Sequence, residues 1–308
     1  MSDHRAVSTR IVWVMLTLGC SGQLAMEPPS DAGARVDARA RDASLDAGRD
    51  GGTSMTERDA DTPDAGPPDA GWIGDAGPPS ARHTMRPLGT TAAAQGYWEY
   101  LPPGYPERGP APLLLFFHGI GENGNGTSDL ARVADNGIPR LIERDGWDAT
   151  RPFVVLSPQH PGGGCHTPAE IRSFIEFAIS EYSLDESRLY ATGLSCGGIG
   201  LFNYLGEDVD ARLAAAVPIA GDGRNAWRRQ GCALGRLPLW AFHGDADTIV
   251  PPIGTTEPMS QLMACTDPAP VDARMTIYPE VGHDSWSATY DGSAGHDIYA
   301  WLLGHRRP

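Results

Sequence analysis

Arg188-Leu189-Tyr190-Ala191-Thr192 is a short strand-forming run that leads without a spacer into Gly193-Leu194-Ser195-Cys196-Gly197, with a further glycine at Gly198. Strand, small-residue turn and helix start in that order restrict the chain to architectures in which a strand breaks sharply into a helix. A serine at such a turn sits at unfavourable φ/ψ, and side chains beside it would collide with the adjoining strand and helix, which accounts for Gly193 and Gly197. A chain with 38 glycines produces G-x-S-x-G by chance often enough that the surrounding pattern has to decide.

That pattern is an alternation of apolar strands and amphipathic helices. Tyr97–Leu101 reads as an early antiparallel strand stopped by Pro102-Pro103-Gly104. Leu113–Phe117 and Phe153–Leu156 are continuous apolar runs, as expected of strands covered on both faces. Thr167-Pro168-Ala169-Glu170 predicts a capped helix start, and Ile171, Phe174, Ile175, Ala178 and Ile179 follow at helical spacing. Leu213–Ile219, Leu239–Phe242 and Arg274–Tyr278 are the later strands, and 297–303 has the spacing of a closing helix. The expected fold class is α/β, with a mostly parallel central sheet and helices on both faces. Ligands of such sheets bind beyond the carboxyl ends of the strands, where every candidate site residue falls.

The N-terminal part cannot belong to that core. Arg5 and Arg10 precede the apolar run 11–18, which ends at Gly19-Cys20, and this order reads as an export signal too short to span a bilayer. Leu18-Gly19-Cys20 also resembles the end of a bacterial lipoprotein signal, with Thr17 where leucine is usual. We expect Cys20 to be lipidated and the protein to be held at the outer membrane or cell surface, with plain secretion as the alternative. Residues 21–80 are Asp, Ala, Gly and Pro with loose Asp-Ala-Gly repeats, and they offer too little apolar surface to offset the entropy of ordering. They read as a disordered linker, and the irregular repeat spacing argues against calcium-binding turns. Residues 81–308 then form one compact catalytic domain, expected to act as a monomer.

Asp plus Glu number 39 against 24 Lys plus Arg, for a net charge of −15, and no basic cluster offsets this, which excludes a nucleic-acid partner. The glycines at 119, 121, 124 and 126 lack the lysine and the G-x-G-x-x-G start of a phosphate cradle, so no nucleotide or other cofactor is expected. Besides Cys20 there are Cys165, Cys196, Cys232 and Cys265, an even set in an exported chain, with no spacing that suggests zinc. Three connectivities are open. The expected one pairs Cys232 with Cys265 and Cys165 with Cys196.

A serine hydroxyl attacks a carbonyl only with a base in hydrogen-bond reach and a carboxylate to orient that base. His283, in the glycine-preceded loop after the last strand, is the expected base, and His296, at a helix entrance, is ordinary. His243 through Pro251 resembles the H-G-x-x-D-x-x-V-P stretch of serine hydrolases, whose aspartate orients the histidine. By that likeness Asp247 is the orienting acid, while Asp245 shapes the turn. Asp284, next to His283 in sequence, is hindered from reaching the far ring nitrogen. The developing oxyanion needs fixed amides, and the expected donors are the N–H groups of Cys196 and Ile120, with Gly121 as a neighbour to consider. His118 and Gly119 open that loop, His118 as a brace. Trp227, Trp240, Trp286 and Tyr290 are either core aromatics or a shelf for an aryl or sugar group.

Across most of 95–308 the chain resembles the secreted α/β-hydrolase esterases grouped with polyhydroxybutyrate depolymerases and feruloyl or acetylxylan esterases. The matching stretches are His118-Gly119, Arg188 through Gly198, Trp240 through Pro251, Gly282-His283-Asp284-Ser285-Trp286 and Trp301-Leu302-Leu303. The resemblance implies ester hydrolysis through an acyl-enzyme on Ser195, with His283 carrying the proton and Asp247 orienting it. It implies a small-molecule or polymeric ester as substrate. Where relatives place Met or Ala after the nucleophile, this chain has Cys196. A peptidase of the prolyl-oligopeptidase-like group is the nearest enzymatic alternative, and a binding protein that has lost its chemistry is the other. The former would commonly carry a gating domain, which 21–80 is too polar to form, and the latter would show a broken triad.

Overall fold

The computed structural model describes residues 77–208 and 212–307. The expected export signal, Cys20, the Asp-Ala-Gly repeats and nearly all of the linker lie outside the described residues. A 3₁₀ turn at Pro79–Arg82 straddles the expected start of the catalytic domain, its Ser80 amide bonded to Asp145 Oδ1 at 3.0 Å.

Eight strands form one sheet: β1 (His83–Arg86), β2 (Tyr97–Tyr100), β3 (Ala111–Phe117), β4 (Val154–Pro158), β5 (Leu184–Leu194), β6 (Ala215–Ile219), β7 (Leu239–Gly244) and β8 (Ala273–Tyr278). Their spatial order is β1-β2-β4-β3-β5-β6-β7-β8. β2 runs antiparallel to β1 and β4, and all other pairs are parallel. β1 was not legible in the sequence, because its His-Thr-Met-Arg run is polar and half exposed at the sheet's edge. β5 extends beyond the expected 188–192 at both ends, and β6 begins two residues later than the apolar run, whose Leu213 and Ala214 are buried in the approach to the strand.

The apolar run of β3 is continuous because both faces of the sheet are covered. Leu113, Leu115 and Phe117 pack in one cluster with α2 (Pro168–Glu181), α3 (Cys196–Glu207) and α5 (Ile253–Met263). Leu114 and Phe116 pack in another with α1 (Gly137–Glu143) and α7 (Ile298–Leu303). Each fully buried Leu or Phe of this kind contributes about 1.5–3 kcal/mol. α2 starts as its sequence predicts: Thr167 Oγ1 accepts the Glu170 amide at 3.2 Å and the Glu170 carboxylate accepts the Thr167 amide at 2.7 Å. Two short helices, α4 (Arg224–Gln230) and α6 (Trp286–Tyr290), complete the set, and Asp297 caps α7 through the amides of Tyr299 and Ala300.

Strand register gathers the carboxyl ends. Phe117 stands opposite Gly193, Leu194 opposite Ile219, Ile219 opposite Phe242 and Gly244 opposite Tyr278. The loops after β3, β5, β7 and β8 therefore open at one edge of the sheet, although in sequence they lie far apart.

Candidate active site

Ser195 sits between β5 and α3 with φ 52° and ψ −117°, in the left-handed half of φ/ψ space that a residue with a side chain adopts only under constraint. The constraint comes from its neighbours. A Cβ at Gly193 would lie 2.6 Å from the carbonyl of Gly197, and one at Gly197 would lie 2.0 Å from the Phe117 carbonyl oxygen. Backbone bonds hold the turn from both sides, with the Ser195 amide donating to Ile219 O at 2.9 Å and the Ile199 amide to Ser195 O at 2.9 Å.

The three expected side chains meet in series. Ser195 Oγ lies 2.9 Å from His283 Nε2, and His283 Nδ1 lies 2.7 Å from Asp247 Oδ2. Since a carboxylate only accepts, the His283 proton is on Nδ1, and Nε2 is left to accept from the serine hydroxyl. The other Asp247 oxygen, Oδ1, accepts the amides of Ile249 at 2.8 Å and Val250 at 3.0 Å. Burial pushes the Asp247 pKa up, but the His283 bond and these two amides outweigh it and hold the carboxyl below its ordinary value. Trp286 packs edge-on against the His283 ring with centroids 5.0 Å apart.

His243 is the participant that sequence reasoning left without a role. Fully buried at the end of β7, its Nε2 lies 3.1 Å from Asp247 Oδ2 and 2.9 Å from Val250 O. Both neighbours are acceptors, so Nε2 carries a proton and is shared between them. Its Nδ1 meets Thr255 Oγ1 at 2.8 Å, which is also 3.0 Å from Gly221 O. The four-residue interval of His243 and Asp247 was a visible signal, but only the turn between them brings both side chains together.

The loop after β3 passes beside the serine. A Cβ at Gly119 would lie 2.9 Å from Leu194 Cδ1 and 3.7 Å from Ser195 Cβ. His118 braces this loop: its Nε2 accepts the His160 amide at 2.9 Å, which leaves the ring proton on Nδ1 to be donated to Gly119 O at 2.7 Å. Burial lowers the His118 pKa to about 4, so the ring is neutral. Ile120 and Glu122 bound a 3₁₀ turn, with Ile120 59% exposed and Glu122 buried. Gly121 has open space where a Cβ would stand and no positive φ, so nothing in the backbone requires glycine there. Cys196 opens α3, whose first-turn amides have no intrahelical acceptor and carry the positive end of the helix dipole.

Cys165 is bonded to Cys196 and Cys232 to Cys265. Asp245 binds the Glu280 amide at 2.6 Å and Asp284 binds the Ser287 amide at 3.0 Å, while the His283 ring bonds to Asp247. His296 packs against Trp240 and Phe242. Trp240 and Tyr290 are buried core residues, Trp227 packs half-buried on the core, and only Trp286 of that aromatic set touches the site. Among the described residues no group of three or more His, Cys, Asp or Glu is arranged to hold a metal ion, and no helix is long and apolar enough to cross a membrane.

This sheet order, with a strained serine turn after the fifth strand and the acid and histidine following in chain order, decides the architecture. The chain has an α/β-hydrolase fold. No protein-family profile matches it. Feruloyl esterase B of Piromyces equi is 32% identical over 158 residues, covering 48% of this chain and 28% of that protein. The α/β-hydrolase chain thus aligns with well under a third of that relative. A thermostable esterase superposes with a TM-score of 0.54 at 24% identity, over 73% of this chain and 63% of its own. The feruloyl esterase module of Clostridium thermocellum, solved with sinapinate, superposes with a TM-score of 0.52 at 20% identity, over 72% of this chain and 86% of its own. At these identities the structural likeness is one of fold.

Proposed function

We propose that this protein is a serine esterase that hydrolyses carboxylic esters through an acyl-enzyme on Ser195. The observation that carries the reading is the unbroken chain of contacts from Ser195 Oγ through His283 to Asp247, at 2.9 Å and 2.7 Å, with the serine on a turn held at positive φ. The local identity to a feruloyl esterase supports an ester as the substrate.

In this reading His283 Nε2 takes the Ser195 proton as Oγ bonds to the ester carbonyl carbon, and Asp247 stabilises the imidazolium that forms. The carbonyl oxygen becomes an oxyanion met by the amides of Cys196 and Ile120. Collapse breaks the bond to the alkoxy oxygen, which leaves with the proton from His283. A water molecule then repeats the sequence on the acyl-enzyme and releases the acid. An aromatic acyl group of the feruloyl type is the first candidate, with acetyl and 3-hydroxybutyrate esters next. The apolar start and Cys20 support export as a lipid-anchored protein, which the mass of the mature N-terminus tests.

The full chain should hydrolyse nitrophenyl esters and be labelled at Ser195 by a fluorophosphonate. Ser195→Ala should lose both while keeping its far-ultraviolet dichroism. Undiminished turnover in that variant removes Ser195 as nucleophile and the reading with it. A panel of acetyl, feruloyl, 3-hydroxybutyrate-oligomer and peptide substrates separates the ester classes from a peptidase.

A further inference from the structure

Strand pairing ties the two halves of the candidate oxyanion site together only as far as Phe117 and Gly193. Beyond that point, among the described residues, no hydrogen bond joins the loop 118–124 directly to Ser195 or Cys196. Both are instead joined to a third segment, 159–165, which follows β4. Toward the first half, the His160 amide donates to His118 Nε2 at 2.9 Å, and the Gly124 amide donates to His160 O at 3.1 Å. Asn123 Nδ2 donates to Gly162 O at 3.0 Å and to Gly164 O at 2.9 Å. Toward the second half the link is covalent, the Cys165–Cys196 disulfide, made by the residue whose amide is the proposed second oxyanion donor.

We propose that the segment 159–165 is a clamp, closed by the Cys165–Cys196 disulfide, that sets the spacing of the Ile120 and Cys196 amides and so makes full turnover conditional on an oxidised bridge. The inference rests on the serine-esterase reading above. Cys165 and Asn123 are positioning residues, since neither touches the reacting atoms. Their effect runs through the transition state: the amides meet the oxyanion more strongly than the neutral carbonyl of the bound ester. Deleting one such donor costs about 10²–10³ in kcat. A donor displaced but not deleted costs a fraction of that, while ground-state binding changes little. Opening the bridge is a two-electron reduction: a dithiol supplies two electrons and two protons, Cys165 and Cys196 become thiols, and the reagent becomes its cyclic disulfide. Before it meets an oxidising compartment the chain would therefore hold a complete triad but a slack oxyanion site.

The test uses the full chain carrying Cys232→Ser and Cys265→Ser, so that one disulfide remains. Reduction by dithiothreitol under native conditions should lower kcat for a nitrophenyl ester about tenfold or more, with KM within about twofold and near-ultraviolet dichroism retained. Affinity for a trifluoromethyl ketone, whose hemiketal oxyanion occupies the same two amides, should fall by a similar factor, and reoxidation should restore both. Cys165→Ala should reproduce the reduced state. Should either reduced or substituted chain unfold, Asn123→Ala decides with the bridge intact: kcat about threefold or more lower at unchanged KM supports the clamp, and unchanged kcat overturns it. A folded, reduced chain that turns over within about twofold of the oxidised one also overturns it. If the oxidised parent shows no turnover that depends on Ser195, the esterase reading fails. If it does and the bridge makes no difference, only the clamp fails.

Discussion

Asp247 shares one carboxylate oxygen with a second histidine, His243, whose Nε2 approaches Oδ2 to 3.1 Å from a fully buried ring. The oxygen that receives His283 is thereby fixed by a donor from β7, while the opposite oxygen is fixed by the backbone at Ile249 and Val250. The carboxylate has no freedom to rotate away from His283.

Removing that donor should be felt in turnover. His243→Phe leaves buried Asp247 Oδ2 and part-buried Val250 O without it, which costs about 1–3 kcal/mol of stability. If half of this appears as lost positioning, kcat falls about two- to tenfold at unchanged KM. His243→Gln, which can present an N–H near the same place, should recover most of the rate. Steady-state kinetics of the two variants check this, and a Phe variant with parental kcat would show that Asp247 needs no such support.

Two glycines of similar appearance in the sequence should behave oppositely. Gly197→Ala drives a methyl group to 2.0 Å from the Phe117 carbonyl oxygen, a backbone atom that can yield only by parting α3 from β3. Overpacking costs about 1–3 kcal/mol, and a clash with a backbone atom stands at the upper end of that range. Gly121→Ala meets nothing within 4 Å and has no positive φ, so it should lie within about 0.5 kcal/mol of the parent. Urea midpoints of both variants measure the contrast, and equal losses would mean that the turn relaxes.

Acid should weaken the fold before the carboxylates titrate. An unfolded histidine binds its proton as pH falls through about 6.5, whereas buried His118 resists until about 4, so proton binding favours the unfolded chain across that window. His118 thus contributes stability that is complete above pH 6.5, erodes below it and is lost by about pH 4. At about 1.4 kcal/mol per pH unit the loss is roughly 3 kcal/mol. Burial holds His83 and His166 down as well, to about 3 for His83, so they add in the same direction. Denaturant midpoints taken from about pH 7 to pH 4 should decline steadily. A flat profile over that range would mean that these rings are hydrated in the folded state.

The sequence carried the local chemistry of this protein. Apolar runs without alternation specified strands buried on both faces, Thr167 and Glu170 specified a helix start, and glycines around Ser195 specified a tight turn, because each depends only on neighbours a few positions away. Tertiary structure decided what the loops do to one another. The polar edge strand β1, the claim of His243 on Asp247, the open space beside Gly121 and the linkage of 159–165 to both sides of Ser195 are all set by the tertiary arrangement. Register places residues from loops after β3, β4, β5, β7 and β8 within bonding distance, and no spacing along the chain encodes those distances.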